Sequence, residues 1–181
     1  MIIRQATVDD AESLLDYLAA FWADGCDTVT YKSSLPNLEQ EREWLSKRNG
    51  ENGIVFVAEQ DGRIAGMIDA TVPIAEEFRH TCEFGMSVLL QFRKQHIGRR
   101  LVQYLLDWAE EGGLWKVELN VFSTNVSAIA LYSALGFTED GRRKNAVKLR
   151  DSTFCDLVHM AKYTETANKS LHSIADKSGS G

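Results

Sequence analysis

The sequence predicts an α/β protein of the α+β type, built on a mixed, mostly antiparallel central sheet. About seven strands, with a parallel pair at the centre, are expected to be flanked by about four helices. The order of the apolar patterns is strand, two helices, three strands, helix, strand, helix and two strands. The strand–helix–strand succession requires one parallel pair, because a crossover joins parallel neighbours. Turn signals at Asp61-Gly62 and near residues 150–152 add antiparallel hairpins, so the sheet is mixed.

The N-terminal third of the chain supplies the first strand, two helices and a hairpin. Residues 2–6 predict a short strand. Thr7, with an aspartate three residues later, is typical of a helix start, and Gly25 ends that helix. Residues 27–50 predict a loop and a second helix, in which a few apolar positions stand among many charges. Residues 53–72 contain two β-rich runs around the Asp-Gly turn, which indicates a hairpin.

The middle of the chain predicts a strand that runs directly into a long amphipathic helix. Residues 81–90 are rich in apolar and β-prone types, which favours the strand. The helix that follows has one wide apolar face of the kind that lies on a sheet. Two consecutive glycines, Gly112 and Gly113, end it. The apolar positions that recur every four residues are Ile97, Leu101, Leu105 and Ala109.

The last third completes one domain. Residues 115–122 are apolar enough for a central strand, and residues 125–137 predict a helix with a glycine just beyond its end. Residues 142–163 predict two strands joined by a turn. Residues 1–163 are therefore predicted to form a single domain, since that length suits one core. The polar segment 164–181 is expected to be a flexible tail.

Composition narrows the class of protein. The net charge of −6 disfavours general binding to nucleic acids or membrane surfaces, because both are polyanions. The three cysteines, Cys26, Cys82 and Cys155, are far apart in the sequence and include no CxxC pair. This argues against a disulfide framework or a zinc site and fits a reducing compartment. No apolar run has the length of a signal peptide or a membrane span. A cytoplasmic protein without a metal is therefore expected.

Positive charge is concentrated where the long central helix begins. Backbone N–H groups at a helix start lack internal partners, and the helix dipole adds partial positive charge there. A glycine, Gly98, would let a ligand approach the backbone closely. This pattern indicates a phosphate or pyrophosphate site, although a solvated basic helix start would look the same. It is neither a Walker A loop nor a dinucleotide fingerprint. The cationic side chains are Arg93, Lys94, Arg99 and Arg100, together with His96.

A second motif resolves this ambiguity. Residues 125–137, "NVSAIALYSALGF", follow the next strand; together with "EFGMSV" and "FRKQHIGRRL" they closely resemble the GNAT superfamily of acetyl-CoA-dependent N-acetyltransferases, including the phosphinothricin and ribosomal-protein-alanine types. In the loop before the long central helix, His96 stands where the family usually has a glycine. If that position needs a positive φ, histidine would be strained. The residues that match the second motif are Asn125, Ala128, Leu131, Tyr132, Gly136 and Phe137.

The resemblance implies acetyl-CoA as co-substrate and no metal. Its pyrophosphate would lie on the N–H groups of residues 95–99. Its pantetheine arm would bind like an added strand to the backbone of residues 86–88. Asn125 would contact the arm, cap the helix that follows, or do both. The expected cofactor-binding residues are Met86, Ser87, Val88, Arg93, Lys94, Gln95, His96, Ile97, Gly98, Arg99, Asn125 and Ser127.

Catalysis by direct attack of an amine on the thioester needs a base for the amine and an acid for the departing thiolate. The resemblance assigns the acid to Tyr132, whose alternative is a packed helical aromatic residue. Glu83, directly or through water, is the expected base; its alternative is a surface carboxylate. His80 is the second candidate for the base, provided that a bulge turns it into the site.

The acceptor is expected to be a primary amine of a small molecule or a peptide. Acidic and aromatic side chains near the first helix and the following loop suit a cationic acceptor. A non-catalytic acyl-CoA-binding module is the alternative function, and a nucleic-acid-binding domain is disfavoured by charge. The resemblance is also compatible with a homodimer. Candidates for the acceptor pocket are Trp22, Asp24, Asp27, Tyr31 and Glu39.

Overall fold

A computed structural model describes residues 1–25, 34–50 and 52–167. Its strands and helices follow the predicted order without exception. The elements are β1 (Ile2–Gln5), α1 (Ala11–Ala23), α2 (Leu38–Arg48), β2 (Gly53–Gln60), β3 (Arg63–Thr71), β4 (Thr81–Val88), α3 (Ile97–Glu111), β5 (Lys116–Phe122), α4 (Val126–Ala134), β6 (Thr138–Lys148) and β7 (Phe154–Tyr163).

Seven strands form one sheet in the order β1-β2-β3-β4-β5-β7-β6. The β4–β5 pair is parallel, and the other five pairs along this order are antiparallel. The predicted mixed sheet with one central parallel pair is therefore confirmed. The crossover through α3 that joins β4 to β5 is the reason for the parallel pair, because it returns the chain to the same end of the sheet.

Helices cover the two faces of the sheet unequally. On one face, α3 and α4 pack against β2 to β5 and β7 in a continuous apolar cluster that includes the four predicted α3 positions. On the other face, α1 and α2 pack against β2 and β3. Beyond β3 this second face carries polar side chains on β5 and β7. We call it the open face, defined by Glu83, Glu118, Asn120 and His159, which the strand register places on the same side.

The turn between β1 and α1 is held by a charged cluster. Thr7 and Asp10 form the predicted capping pair, around a short 3₁₀ turn at Val8–Asp10 that precedes α1. Arg4 Nη1 and Nη2 donate to the two carboxylate oxygens of Asp10 at 2.8 and 2.7 Å. Arg4 also pairs with Glu59 of β2 at 3.1 Å. The hydrogen bonds from Arg4 lower the pKa of Asp10 from its ordinary value to about 2.

Replacement of Asp10 by asparagine is expected to lower the free energy of unfolding at pH 7 by about 1–2 kcal/mol. Because the folded-state pKa of Asp10 is depressed, its contribution is complete above the unfolded-state pKa near 4 and is lost as the pH falls towards 2. Urea unfolding at pH 7 and pH 2.5 measures the difference. Glu59→Gln, which removes the more exposed partner of Arg4, is the control and should cost less. An Asp10→Asn effect that does not shrink at low pH would contradict the assignment.

The C-terminal elements differ from expectation at their edges. β6 begins at Thr138, four residues before the predicted strand at 142. Thr164 is buried, and its Oγ1 donates to the carbonyl oxygen of Leu114 at 2.7 Å; Ala167 is fully buried. The first residues of the expected tail are therefore packed against the domain, while 168–181 lie outside the described residues. Within the described ranges, no helix is long and apolar enough to cross a membrane.

Candidate active site

A cleft opens where the two central strands separate. β4 and β5 pair only through residues 81–83 and 116–118. Beyond Glu83, β4 pairs only with β3, and beyond Glu118, β5 pairs only with β7, among the strands described. The cleft has a volume of about 1280 Å³. The edge of β4 from Phe84 to Val88 faces this cleft without a strand partner, so an extended ligand could hydrogen-bond to its backbone.

The start of α3 closes the wide end of the cleft. The N–H groups of residues 95–99 donate to no backbone acceptor within the described residues; the first such hydrogen bond of the turn runs from Arg100 to His96, at 3.1 Å. His96 is the residue before α3 and has a left-handed conformation, with φ of 61° and ψ of 10°. Lys94 is also left-handed, with φ of 60°. The two left-handed residues shape a turn whose N–H groups suit an anion.

All but one of the predicted cofactor-binding residues line the cleft. The exception is Gln95, whose side chain donates to the carbonyl oxygen of Gln91 at 3.3 Å and bonds to Gln60. Arg93 lies at the rim, where its Nε donates to the carbonyl oxygen of Val88 at 3.1 Å. The predicted residues that line the cleft are Met86, Ser87, Val88, Arg93, Lys94, His96, Ile97, Gly98, Arg99, Asn125 and Ser127.

The conformation of His96 makes a prediction about stability. The left-handed conformation destabilises a residue that has a Cβ by about 1–2 kcal/mol relative to glycine. Part of this difference is offset because glycine loses more conformational entropy when the chain folds. His96→Gly is therefore expected to raise the free energy of unfolding by about 0.5–1 kcal/mol. His96→Val, with a β-branched side chain at the same φ, should lower it. Urea unfolding of the three proteins gives the order, and a His96→Gly variant less stable than wild type would show that the imidazole makes a stabilising contact.

Asn125 takes the capping role foreseen for it. Its side-chain Oδ1 accepts a hydrogen bond from the backbone N–H of Ala128 at 3.2 Å, at the first turn of α4. The same residue lines the cleft. The amide nitrogen of Asn125 is therefore available to a ligand while its oxygen holds the helix.

Tyr132 lies on the face of α4 that forms the floor of the cleft. Its ring makes edge-to-face contacts with Phe84 at 5.7 Å and Phe137 at 5.9 Å between centroids. Burial raises the pKa of the phenol to about 12. Among the described residues, every fully buried polar side-chain atom has a hydrogen-bond partner. The Tyr132 hydroxyl has no hydrogen-bond partner, so it is not fully buried. Since Tyr132 lines the cleft, its hydroxyl reaches the accessible space there.

Glu83 stands at the narrow end of the cleft, on the open face. Its Oε1 accepts a hydrogen bond from Asn120 Nδ2 of β5 at 2.9 Å. His80 does not line the cleft; it precedes β4 and its ring contacts Trp115 at 6.2 Å. The described register irregularities lie in β2 and β6, not in β4, so no bulge turns His80 inward. Between the two candidate bases, the structure brings only Glu83 to the cleft.

A second, smaller pocket of about 200 Å³ adjoins the cleft on the face of the sheet that α1 and α2 cover. It shares five lining residues with the large cleft, and α1 and α2 form its walls; the shared residues are Phe21, Asp69, Gly85, Met86 and Ser87. Trp22, one of the predicted acceptor residues, lines it. Asp24 instead accepts from the N–H of Leu90, Glu39 is exposed outside it, and Asp27 and Tyr31 lie outside the described residues. The polar and aromatic lining consists of Phe21, Trp22, Glu41, Trp44, Arg48, Asp69 and Ser87.

The sequence does not single out three residues that the structure places in the two pockets: Glu41, Asp69 and Asn120. Glu41 is 3% exposed and lies one helical turn before buried Leu45, so helical spacing could have placed it on the inner face of α2. Asp69 pairs with Arg48 at 3.4 Å, which no local pattern reveals. Asn120 alternates with buried residues of β5, which indicates the polar face but not its contact with Glu83.

Comparison with known proteins defines the class. The family model of the acetyltransferase (GNAT) family matches residues 14–137. The chain belongs to this family. The match includes every residue that lines the cleft, from Phe21 to Ala134.

Two relatives are named for different acceptors. The ribosomal protein bS18-alanine N-acetyltransferase of Escherichia coli (strain K12) is 32% identical over 101 residues, which are 56% of this chain and 66% of the relative. The match thus spans just under two thirds of that protein. The L-amino acid N-acetyltransferase of the same strain is 26% identical over 166 residues, or 90% of this chain and 97% of the relative.

Solved structures share the fold. A ribosomal-protein-alanine N-acetyltransferase from Brucella melitensis has a TM-score of 0.79 at 29% identity, over 90% of this chain and 99% of that one. A GNAT acetyltransferase from Streptococcus pneumoniae has a TM-score of 0.83 at 24% identity, over 90% and 98%. A putative acetyltransferase from Salmonella typhimurium, solved with its cofactor acetyl-CoA, has a TM-score of 0.79 at 22% identity, over 90% and 93%.

Proposed function

We propose that the protein transfers the acetyl group of acetyl-CoA to a primary amine of a small molecule or a peptide. One observation carries this proposal: a single cleft joins unpaired N–H groups at a basic helix start to an unpaired strand edge, and ends between Tyr132 and Glu83. The first feature suits a pyrophosphate, the second suits an amide-containing arm, and the third suits acyl transfer.

The reaction is direct attack in a ternary complex. The neutral amine forms a C–N bond to the thioester carbonyl, and the C–S bond breaks to release the thiolate. Glu83 takes the proton that the ammonium form must lose, since a primary amine with a pKa near 10.4 is almost wholly protonated at neutral pH. Tyr132 donates a hydrogen bond to the departing thiolate. The second proton, which the nitrogen loses once the C–N bond has formed, ends on the thiolate, so the products are the acetylated amine and the coenzyme A thiol. Burial raises the pKa of the Cys82 thiol to about 12, which disfavours an acetyl-cysteine intermediate on that residue.

The acceptor would enter from the small pocket, on the side of β4 opposite the α3–α4 helices. Its carboxylates and tryptophans suit a cationic amine. Since the relatives are named for a ribosomal-protein alanine and for L-amino acids, both acceptor types belong to the proposal. A cytoplasmic location and a homodimer stay predictions; the second is checked by light scattering on the purified protein.

A panel of acceptors tests the function. Acetyl-CoA is incubated with free L-amino acids, with a peptide beginning in alanine, and with simple alkyl amines, while release of the coenzyme A thiol is measured. We expect saturable thiol release with at least one acceptor and acetylated product by mass spectrometry. Micromolar binding of acetyl-CoA without turnover on any acceptor would instead support the non-catalytic acyl-CoA-binding module. Absence of binding would refute both functions.

A further inference from the structure

A hydrogen-bonded chain of side chains leads away from Glu83 across the open face. Asn120 Nδ2 of β5 donates to Glu83 Oε1 at 2.9 Å. On its other side, Asn120 Oδ1 lies 3.3 Å from Nδ1 of His159 on β7. His159 Nε2 lies 3.3 Å from Glu118 Oε1. Asn120 and His159 are directly opposite each other in the β5–β7 register, so the pair is fixed by the sheet itself.

The donors and acceptors of this chain can be arranged in one way only. An ionised Glu83 carboxylate accepts but cannot donate, so the amide nitrogen of Asn120 must face it. The amide oxygen then faces His159, whose Nδ1 must carry a proton to complete the bond. Because Glu118 also accepts only, both hydrogen bonds of the ring form together in its doubly protonated state. Each residue therefore constrains the orientation of the one before it.

A charge cluster anchors the far end of the chain. Lys116 Nζ contacts Glu118 at 2.6 Å and Asp140 at 2.7 Å, and His159 Nε2 is 3.9 Å from Asp140. Glu118, Asp140 and His159 have a spacing that could hold a metal ion. The ammonium of Lys116 already lies between the two carboxylates, so the cluster has a cation of its own. These ion pairs hold Glu118 in place at the far end of the hydrogen-bonded chain of side chains.

We propose that Asn120 and His159 are positioning residues that orient the Glu83 carboxylate for proton removal from the acceptor amine. This rests on the proposed function, in which Glu83 is the base. Asn120 engages Oε1 of Glu83 and leaves Oε2 to face the amine or a bridging water, and His159 prevents the amide from rotating. An amide does not pass protons on, so the chain orients the base and does not conduct protons away from it.

Kinetics of single and double variants test the role of Asn120. With the acceptor of the panel that gives the highest rate, Asn120→Ala is expected to lower kcat roughly tenfold, the effect of losing one hydrogen bond to a charged group. The KM for acetyl-CoA should not change. In a Glu83→Gln background the same substitution should have no further effect, because Asn120 acts through Glu83. Multiplicative losses in the double variant would overturn the proposal.

Two replacements of His159 separate its two hydrogen bonds. His159→Asn places an amide N–H₂ close to the position of Nδ1, whereas His159→Gln reaches the position of Nε2. We expect His159→Asn to recover most of the wild-type kcat and His159→Gln to fall as far as Asn120→Ala. The reverse order, or equal losses, would refute the orienting contact. Circular dichroism melts confirm that each variant is folded.

A spectroscopic measurement checks the chain without any acceptor. A long-range ¹H–¹⁵N spectrum of the whole protein should show Nδ1 of His159 protonated at the assay pH, and Asn120→Ala should change that signal. The ring of His80, which is outside the chain, is the internal reference. An unprotonated Nδ1 in the wild-type protein would overturn the orientation of Asn120. If the spectrum is as expected but no acceptor reacts, the proposed function fails, and the catalytic role of Asn120 and His159 fails with it.

Discussion

Tyr132→Phe is expected to lower kcat about a hundredfold while the affinity for acetyl-CoA stays within about twofold. The phenol ring packs between Phe84 and Phe137, and phenylalanine keeps those contacts. Only the hydroxyl in the cleft is lost. Turnover with saturating acceptor gives kcat, and isothermal titration of acetyl-CoA gives the affinity.

The size of this effect depends on what the phenol does. With a pKa of about 12, full transfer of its proton to a thiolate of pKa about 8.5 is uphill by roughly three to four pKa units. A hydrogen bond to the developing thiolate is favourable without any proton transfer from the phenol. The nitrogen of the attacking amine becomes acidic as the C–N bond forms, so the proton for the thiolate can come from it. Tyr132 therefore acts mainly as a hydrogen-bond donor. A loss near 10⁴-fold would favour full proton transfer instead.

The pH dependence gives an independent check on Tyr132. Because burial raises the pKa of the phenol above its ordinary value, the hydroxyl keeps its proton as the pH rises to about 11. A fall of kcat between pH 9 and 10 that is absent from Tyr132→Phe would therefore contradict the burial of this residue.

The fold could be predicted from the sequence because its signals are local. The order of elements follows from apolar periodicity and turn residues, and the parallel pair follows from one helical crossover. The two ends of the cleft were also predictable, since the strand–helix turn and the α4 motif are each continuous in sequence.

The acceptor side of the site could not be predicted in the same way. Contacts there join residues that are far apart in the sequence. Asn120 and His159 are neighbours because of the β5–β7 register, and Asp69 of β3 forms an ion pair with Arg48 of α2. Glu39 is one of the acceptor candidates from the sequence, but the helix turns Glu41 to the inside. Long-range pairing and helix rotation decide these positions, and single-sequence patterns carry little information about either.

Gly98→Asp is expected to raise the dissociation constant for acetyl-CoA by about 10²- to 10³-fold. Gly98 lies in the first turn of α3, next to the unpaired N–H groups that would hold the pyrophosphate. A carboxylate about 4 Å from a phosphate charge costs about 4 kcal/mol at an effective dielectric constant of 20. Titration of acetyl-CoA into both proteins measures the difference.

The matched variant Gly98→Asn separates charge from volume, because the two side chains are nearly the same size. A Cβ at Gly98 would lie 3.2 Å from Leu131 Cδ2 and 3.2 Å from Met86 Cε, which are the ends of flexible side chains that can move. We expect Gly98→Asn to lose much less affinity than Gly98→Asp, and the gap to narrow as salt screens the repulsion. Equal losses at all salt concentrations would mean that the close packing of Gly98, and not an anion at the helix start, determines binding.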